Sequence, residues 1–418
     1  MDSDDDCPNL IEVEPTSLPP PNATLQQKPA HTADGDTAAL GPKKKVPVTI
    51  LTGFLGSGKT TLLHYILTAN HDLKIAVIMN EFSIAGAAIE KQLTLAKEGQ
   101  LVDDWVEMPN GCICCSAKGE AVSIIETMLK RKGMDHVIIE TSGLADPGPI
   151  VTSFWVDEAL ESSIFLDGVI TVVDAKNIAG YLATPKAHTN ESSTVATEAQ
   201  QEEDGVGGFL EATQQIAYAD KLIINKADLV NETQIQHVQG LLRRVNAAAE
   251  MQCASFAVVE DVRRLLHINS LALDQDITQK VQPSTLPQPC GECNDTHGHG
   301  HGHEHGHTHV HTDNVGTSYV EFKGWVADEA GIERLMTELL CTKHTDGFRV
   351  MRMKALLHVQ GQETATVLQA VADMWDTRNT AVAITDATPV NKVVFIGRNL
   401  HRRDLEGLIL RHCGLADF

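Results

Sequence analysis

The chain has 418 residues, a hydrophobic fraction of 42% and a formal net charge of -23 at pH 7. This length allows two ordinary domains, and the negative charge argues against a surface that binds nucleic acid or an anionic membrane. No apolar run reaches the roughly 20 residues that a membrane-spanning helix needs. The amino terminus resembles neither a secretory signal nor a transit peptide, so we expect a cytoplasmic protein, with the nucleus as a second location.

The first domain follows an amino-terminal arm. Residues 1–45 are acidic and lack hydrophobic periodicity, which predicts a disordered arm. Residues 46–282 alternate helical stretches with the buried-strand patterns "VPVTILTG", "KIAVIMN", "HVIIETSG", "GVITVVDA" and "KLIINKAD". This alternation predicts an α/β fold with a mostly parallel sheet between helices. The polar stretch at about 184–208 is predicted to be a flexible loop.

The second domain follows a linker rich in proline and histidine at 283–316. Residues 317–418 contain the strand candidates "SYVEFKGWV", "FRVMRMKALLHV", "TAVAIT" and "NKVVFIG", which flank helical stretches. We therefore expect a small carboxyl-terminal α+β domain.

A phosphate-binding loop is predicted directly after the first strand. The segment "GFLGSGKT" fits the pattern G-x-x-x-x-G-K-[ST] and precedes an apolar helical run. Such a loop surrounds phosphates with backbone N–H groups at a helix N-terminus. We expect Lys59 to reach the β- and γ-phosphates and the Thr60 hydroxyl to bind Mg²⁺. The predicted loop residues are Gly53, Phe54, Leu55, Gly56, Ser57, Gly58, Lys59 and Thr60.

The segment "NKAD" after a later strand indicates guanine as the base. Asp228 can accept hydrogen bonds from guanine N1–H and its exocyclic amine, a pair of donors that adenine lacks. Lys226 can lie along the base plane, and Asn225 can brace the loop near guanine O6; Ala227 completes the motif. The loop at 255–258 is a further candidate for closing the base pocket.

Two carboxylates are candidates for the metal side of the phosphate site. Glu140 in "HVIIETSGLADP" ends a strand, and Gly143 follows where its N–H can sense the γ-phosphate. Lys59, Thr60 and Glu140 are therefore the candidate catalytic residues. Glu81 in "MNEFS" also follows a strand and is a weaker candidate ligand for Mg²⁺ or a second metal.

Three cysteines, Cys112, Cys114 and Cys115, stand in a loop-like segment between two glycines, "NGCICCSAKG". Adjacent cysteines do not form an easy disulfide, and a reducing compartment disfavours one. Three thiolates suit Zn²⁺ or Cu⁺ and leave one coordination position open. A redox pair of Cys112 and Cys115 is the alternative.

A histidine tract lies in the linker and provides many nitrogen donors on a flexible tether. It predicts low-affinity zinc capture, with an inert linker as the alternative. Its donors are His297, His299, His301, His303, His305, His307, His309 and His311.

In this order, "GFLGSGKTTLL", "NEF", "NGCICCS", "ETSGLADP" and "NKADL" resemble the CobW-type metallochaperone GTPases. The resemblance implies GTP and Mg²⁺ binding, Zn²⁺ ligation by all three cysteines, and a position near the nucleotide for Ser116. One departure is Ser83, where the family usually has glycine.

The stretches "FWVDEALESSIFLDGVITVVDAK" and "FIGRNL" resemble a eukaryotic zinc-delivering subgroup of that family. That subgroup implies type 1 methionine aminopeptidase as the client. Its docking motif matches Cys7, Pro8 and Leu10, although Glu12 replaces the final proline. We therefore expect a GTP-hydrolysing zinc chaperone; a GTP-binding zinc buffer or sensor without a client, and a cobalt chaperone, are the alternatives.

Overall fold

The computed structural model describes residues 45–69, 73–80, 105–107, 134–154, 163–182, 206–270, 315–342 and 347–414. Within these ranges the first domain has seven strands and five α-helices. The strands are β1 (Val46–Thr52), β2 (Ile75–Asn80), β3 (Trp105–Glu107), β4 (His136–Thr141), β5 (Ile164–Asp174), β6 (Lys221–Asn225) and β7 (Glu250–Cys253). The helices are α1 (Lys59–Thr68), α2 (Gly148–Phe154), α3 (Ile178–Tyr181), α4 (Val206–Tyr218) and α5 (Glu232–Val245).

The seven strands form one parallel sheet in the order β3-β2-β4-β1-β5-β6-β7. Every residue of β4 is buried, as expected for a strand covered on both faces. Strands β2, β3 and β4 lie on one side of β1, and the later strands β5, β6 and β7 lie on the other. A change of direction of this kind leaves a crevice at the carboxyl ends of the strands, where ligands bind in open α/β sheets.

Local sequence explains how the flanking helices form. In α1, Leu62, Leu63 and Ile66 share one face, are almost fully buried and pack against the sheet. Helix α5 starts with a capping box: the Asn231 side chain accepts from the Gln234 N–H, and the Gln234 side chain accepts from the Asn231 N–H, both at 2.9 Å. In the described part of the chain, no helix combines the length and hydrophobicity needed to cross a bilayer.

The second domain is an antiparallel sheet with two helices on one face. The elements are β8 (Val315–Lys323), α6 (Glu329–Met336), β9 (Arg349–Leu357), β10 (Thr364–Val371), β11 (Met374–Ala383), β12 (Val390–Arg398) and α7 (Arg402–Cys413), with a π-helical turn at Thr337–Cys341. The sheet order is β11-β10-β9-β12-β8, and α6 packs against α7 around a core that includes Met336, Phe395 and Leu405.

The other face of this sheet packs on the first domain, and a β-bulge adapts it to that contact. Pairing between β9 and β12 steps from Arg352 to Val350 and leaves Met351 out of register. Met351 joins the hydrophobic core of the first domain, and the adjacent Arg352 also reaches that domain. Gly397 lies opposite the bulge, where a Cβ would be 2.0 Å from the Arg349 carbonyl oxygen. A bulge is the usual way to direct neighbouring side chains to one side of a strand.

Arg352 is the main polar contact between the two domains. It is 6% exposed, its Nη1 donates to the Tyr218 carbonyl at 2.7 Å, and its Nη2 pairs with the Asp220 carboxylate. The other Asp220 oxygen accepts the Val169 N–H at 3.0 Å. The nearby Lys354 donates to the Ser270 carbonyl at 3.2 Å. One buried guanidinium therefore joins the second domain to the end of α4 and the start of β6.

The fold confirms the predicted α/β domain, its five predicted strands and a second domain with helices on a sheet. The stretch between "FRVMRMKALLHV" and "TAVAIT" is not helical, because residues 364–371 form β10. This strand lies between β9 and β11 and is buried over most of its length, so its sequence lacks the alternation of a half-exposed strand. Strand β3 was also not predicted, whereas β7 lies where a candidate strand was expected before the 255–258 loop.

Two predicted boundaries shift. Strand β8 begins at Val315, inside the predicted linker, and α4 begins at Val206, inside the predicted 184–208 loop. The remainder of that loop and of the linker, together with residues 1–44, lies outside the described residues.

Replacing Arg352 with Met should lower the free energy of unfolding by about 3 kcal/mol, because the buried Asp220 carboxylate would lose its hydrogen-bonded cation and keep only the Lys354 ammonium, 3.9 Å away. Urea denaturation of the full-length variant measures this loss. The matched control is Arg402→Met, which removes an exposed i,i+4 pair with Glu406 and should cost about 0.5 kcal/mol or less. Equal losses in the two variants would contradict the assignment.

Candidate functional site

Gly53–Thr60 wraps from the end of β1 into α1, and two of its glycines are required by their surroundings. Gly53 has φ 142°, and a Cβ there would lie 2.2 Å from the Val172 carbonyl oxygen. Gly58 has φ 104°, and a Cβ there would lie 2.3 Å from Asn225 Nδ2. Both positions therefore exclude a side chain, and the backbone can close into a tight loop.

The loop ends at an uncapped helix N-terminus. Gly58 precedes α1 without a side-chain cap, and no acidic residue lies in the first turn of α1. Lys59 is 9% exposed, and its Nζ donates to the Phe54 carbonyl at 3.3 Å across the loop. The N–H groups at the start of α1, the helix dipole and this ammonium together favour an anion inside the loop.

Other loop residues contact neighbouring segments. The Phe54 ring packs on Tyr181 with centroids 4.5 Å apart, whereas Leu55 is 50% exposed. Gly56 has φ 69° and open space around its Cα. Gly143, from the turn after β4, lies against the Leu55 backbone. The structure thus brings the predicted γ-phosphate sensor next to the phosphate loop.

Two oxygen ligands face each other beside the loop. The Thr60 hydroxyl donates to Glu140 Oε1 at 2.8 Å, and Glu140 is 5% exposed at the end of β4. Strands β1 and β4 are neighbours, so the sheet places both groups at its carboxyl edge. A hydroxyl and a carboxylate at this separation are hard oxygen donors of the kind that Mg²⁺ prefers, and the residues therefore fit this ion.

Asn225 joins three loops with one side chain. Its Nδ2 donates to the Ser57 carbonyl at 2.9 Å, and its Oδ1 accepts the Ala257 N–H at 2.8 Å. The residue is 3% exposed at the end of β6. Asp228 follows on an exposed 3-10 turn at Ala227–Leu229. The predicted guanine-binding residues, the phosphate loop and the 255–258 loop are therefore neighbours.

Asp174 was not predicted as a site residue. It ends β5, is 5% exposed, and its Oδ2 lies 2.6 Å from Lys226 Nζ. Burial raises the pKa of the Asp174 carboxyl, but hydrogen bonds from Lys226, Asn177 and the Lys176 N–H outweigh that effect and leave the pKa below its ordinary value of 3.8. The ionised carboxylate therefore fixes Lys226, whose backbone is left-handed with φ 61°. The sequence signal was an aspartate at a strand end in "TVVDAK".

Several predicted residues lie outside the described residues. These are Glu81, Cys112, Cys114, Cys115, Ser116, the eight tract histidines, and Cys7, Pro8 and Leu10. Among the residues that are described, no group of three or more His, Cys, Asp and Glu side chains could hold a metal ion. The zinc-binding roles given to the cysteines and histidines stay predictions.

Two family models match the chain. The model described as "CobW/HypB/UreG, nucleotide-binding domain" matches residues 47–252. The model described as "Cobalamin synthesis protein cobW C-terminal domain" matches residues 324–413. These ranges correspond to the parallel-sheet domain and to most of the antiparallel-sheet domain.

Similar proteins carry zinc-related names. "Zinc-regulated GTPase metalloprotein activator 1" of Saccharomyces cerevisiae is 31% identical over 88% of this chain and 83% of its own length. The Schizosaccharomyces pombe protein of the same name is 33% identical over 65% of this chain, but the match spans only 63% of that protein. The crystal structure of Zn(II)-bound YjiA GTPase from E. coli shares the fold, with a TM-score of 0.58 and 24% identity over 88% of this chain and 99% of that one.

Asp228→Asn should weaken GTP binding by about 10- to 100-fold, because a charged acceptor for two guanine N–H donors is lost. Inosine triphosphate lacks the exocyclic amine and should lose less affinity. Titrations with both nucleotides measure the difference, with Asp404→Asn on the exposed face of α7 as the control. Equal losses for the two nucleotides would exclude the proposed base contact.

Asp174→Asn should lower the free energy of unfolding by about 1.5 kcal/mol at neutral pH, because Lys226 would lose a charged acceptor. The Asp174 pKa is depressed in the folded protein, so its contribution is complete above the ordinary value of 3.8 and is lost as pH falls through the folded pKa. The difference between wild type and variant should therefore be constant from about pH 5 to pH 8 and shrink in stronger acid. Denaturation at a series of pH values measures it, and a difference that disappears near pH 6 would contradict the ion pair.

Proposed function

The chain belongs to the CobW/HypB/UreG family of nucleotide-binding proteins, and we propose that it loads zinc into a client metalloenzyme at the expense of GTP hydrolysis. As a member of this family with a P-loop fold, it is a GTPase. The observation that carries the nucleotide assignment is the Asn225 side chain, which holds the phosphate loop and the guanine-binding loop at one edge of the sheet.

Hydrolysis transfers the γ-phosphoryl group of GTP to water. A bond forms between the water oxygen and the γ-phosphorus, and the bond from that phosphorus to the β–γ bridging oxygen breaks, which leaves GDP and phosphate. Lys59 and the N–H groups at the start of α1 lie where they oppose the negative charge that develops during this transfer. Thr60 and Glu140 would hold Mg²⁺, which supplies further neutralisation of phosphate charge when bound.

The metal cargo is proposed to be zinc. The relatives' names refer to zinc, and the three cysteines of "NGCICCS" offer thiolates that Zn²⁺ accepts readily. Three protein ligands leave a coordination position through which a client's ligands can enter. We propose that Cys112, Cys114 and Cys115 carry the transferred ion, while the histidine tract collects zinc at lower affinity.

The proposed client is a type 1 methionine aminopeptidase, engaged through Cys7, Pro8 and Leu10 of the amino-terminal arm. Support comes from the partial match of "CPNLIE" to the docking motif of the zinc-delivering subgroup. The cytoplasm, with a nuclear pool, is the proposed location. Delivery to a client separates this proposal from a zinc buffer or sensor, and zinc as cargo separates it from a cobalt chaperone.

Changing Cys112, Cys114 and Cys115 together to Ser should abolish reactivation of a zinc-free aminopeptidase, because serine is a poor ligand for exchangeable zinc. GTP binding should change less than twofold, since the described nucleotide-binding loops follow other strands. The assay incubates zinc- and GTP-loaded full-length protein with the apo-enzyme and measures peptidase activity. Parallel arms with cobalt and with GDP test the cargo and the need for GTP.

The matched control is Cys253→Ser with Cys341→Ser, which removes two exposed thiols elsewhere and should leave reactivation intact. Reactivation by the triple-serine variant would overturn the cysteine assignment. Failure of the wild type to reactivate the enzyme, with tight zinc binding retained, would favour a buffer or sensor. Preferential transfer of cobalt would identify a cobalt chaperone.

A further inference from the structure

The turn between β4 and α2 lies against the phosphate loop. A Cβ on Gly143 would be 2.9 Å from the Leu55 nitrogen and 3.0 Å from the Leu55 Cα. Both distances are shorter than ordinary van der Waals contact, so a side chain at this position would force the two backbones apart. The Ala145 N–H donates to the Ser142 carbonyl at 3.1 Å and closes the turn. Gly143 is thereby kept beside the loop that would hold the γ-phosphate.

One buried glutamine on α4 holds this turn from behind. Gln215 is 1% exposed, and its Nε2 donates to the Gly143 carbonyl at 3.0 Å and to the Ala145 carbonyl at 3.2 Å. The backbone carbonyl of Gln215 accepts the Thr171 hydroxyl at 2.7 Å, which ties the same residue to β5. A single amide therefore links the sheet, helix α4 and two carbonyls of the turn.

The orientation of the Gln215 amide follows from its partners. Two carbonyl oxygens can only accept, so the nitrogen must face them. Its Oε1 is buried and has no hydrogen-bond partner within the described ranges. A buried polar atom without a partner carries a cost. The Gln215 side chain therefore satisfies the two carbonyls of the turn, while its own Oε1 is left without a hydrogen bond.

We propose that Gln215 is a positioning residue for GTP hydrolysis, acting through Gly143. The Gly143 N–H lies in the same peptide plane as the Ser142 carbonyl, which accepts the Ala145 N–H. By holding the Gly143 and Ala145 carbonyls, Gln215 restricts the freely rotating Gly143 backbone and keeps Ala145 where it fixes that plane, so that the N–H stays in place for an oxygen of the γ-phosphate. The inference rests on the nucleotide assignment and is independent of zinc and client.

The test compares Gln215→Met, which keeps the length of the side chain but removes both donors, with Gln236→Met on the exposed face of α5. In Gln215→Met we expect kcat to fall by about 10- to 100-fold, because misplacing one transition-state contact has effects of this size. Affinity for a non-hydrolysable GTP analogue should fall about tenfold relative to that for GDP, which has no γ-phosphate. Gln236→Met should match the wild type in all three measurements.

A purely structural role would lower stability and weaken GDP and the GTP analogue equally, and that result would overturn the proposal. Unchanged kcat would also overturn it. If the wild-type protein binds neither GDP nor the GTP analogue, the proposed function itself is refuted. If Gln215→Met does not fold, hydrogen exchange in the wild type decides: the 142–148 turn should be protected more with the GTP analogue than with GDP, and equal protection would reject the proposal.

Discussion

The nucleotide site depends on the buried Asn225 side chain more than on any other single contact. Its amide donates to Ser57, 168 residues earlier in the chain, and accepts from Ala257, 32 residues later. Gly58 leaves the space that this amide occupies, since a Cβ there would lie 2.3 Å from Asn225 Nδ2. The predicted base-binding segment is thus fixed relative to the phosphate loop by one buried side chain. Because both its donor and its acceptor are used, replacing Asn225 would leave two buried backbone groups unsatisfied.

Helix α4 connects the nucleotide edge to the second domain. Gln215 holds the Gly143 turn, and Tyr218, three residues later, accepts from Arg352 of the second domain. The bulge at Met351 is what allows Arg352 to point towards α4. A displacement of the turn would therefore act first on α4, to which the second domain is attached by the hydrogen bond from Arg352 to the Tyr218 carbonyl. Packed, hydrogen-bonded elements of this kind are the networks that carry energetic coupling between distant sites.

The sequence predicted those features whose chemistry is local. The phosphate loop is a contiguous run between a predicted strand and a predicted helix, and "NKAD" directly follows a predicted strand. In both cases the motif and its place in the predicted fold indicated the same site. Asp174 and Gln215 were not predicted because their partners lie 52 and 72 residues away, and nothing in a single sequence shows which strands will be neighbours. Strand β10 was missed for a related reason: both of its faces are covered, with Leu368 and Ala370 in the core of the second domain and Val371 in that of the first, which removes the alternation that marks a half-exposed strand.

Two aspartates on β5, Asp167 and Asp174, differ in their partners, and only the one at the carboxyl edge of the sheet lies beside the nucleotide site. Asp167 is 1% exposed and accepts the Ile268 and Asn269 N–H groups at 3.0 and 2.9 Å, together with the Thr49 hydroxyl at 3.1 Å. Burial raises its pKa, and these hydrogen bonds only partly offset that effect. Asp174, at the other end of the strand, has Lys226 as a direct cationic partner and a lowered pKa. Asp167 binds the backbone of residues 268–269 to the sheet. Asp174 instead forms an ion pair with Lys226 at the edge where a charged ligand would bind. Because residue type and strand are the same, the difference in role comes from the neighbours that the topology supplies.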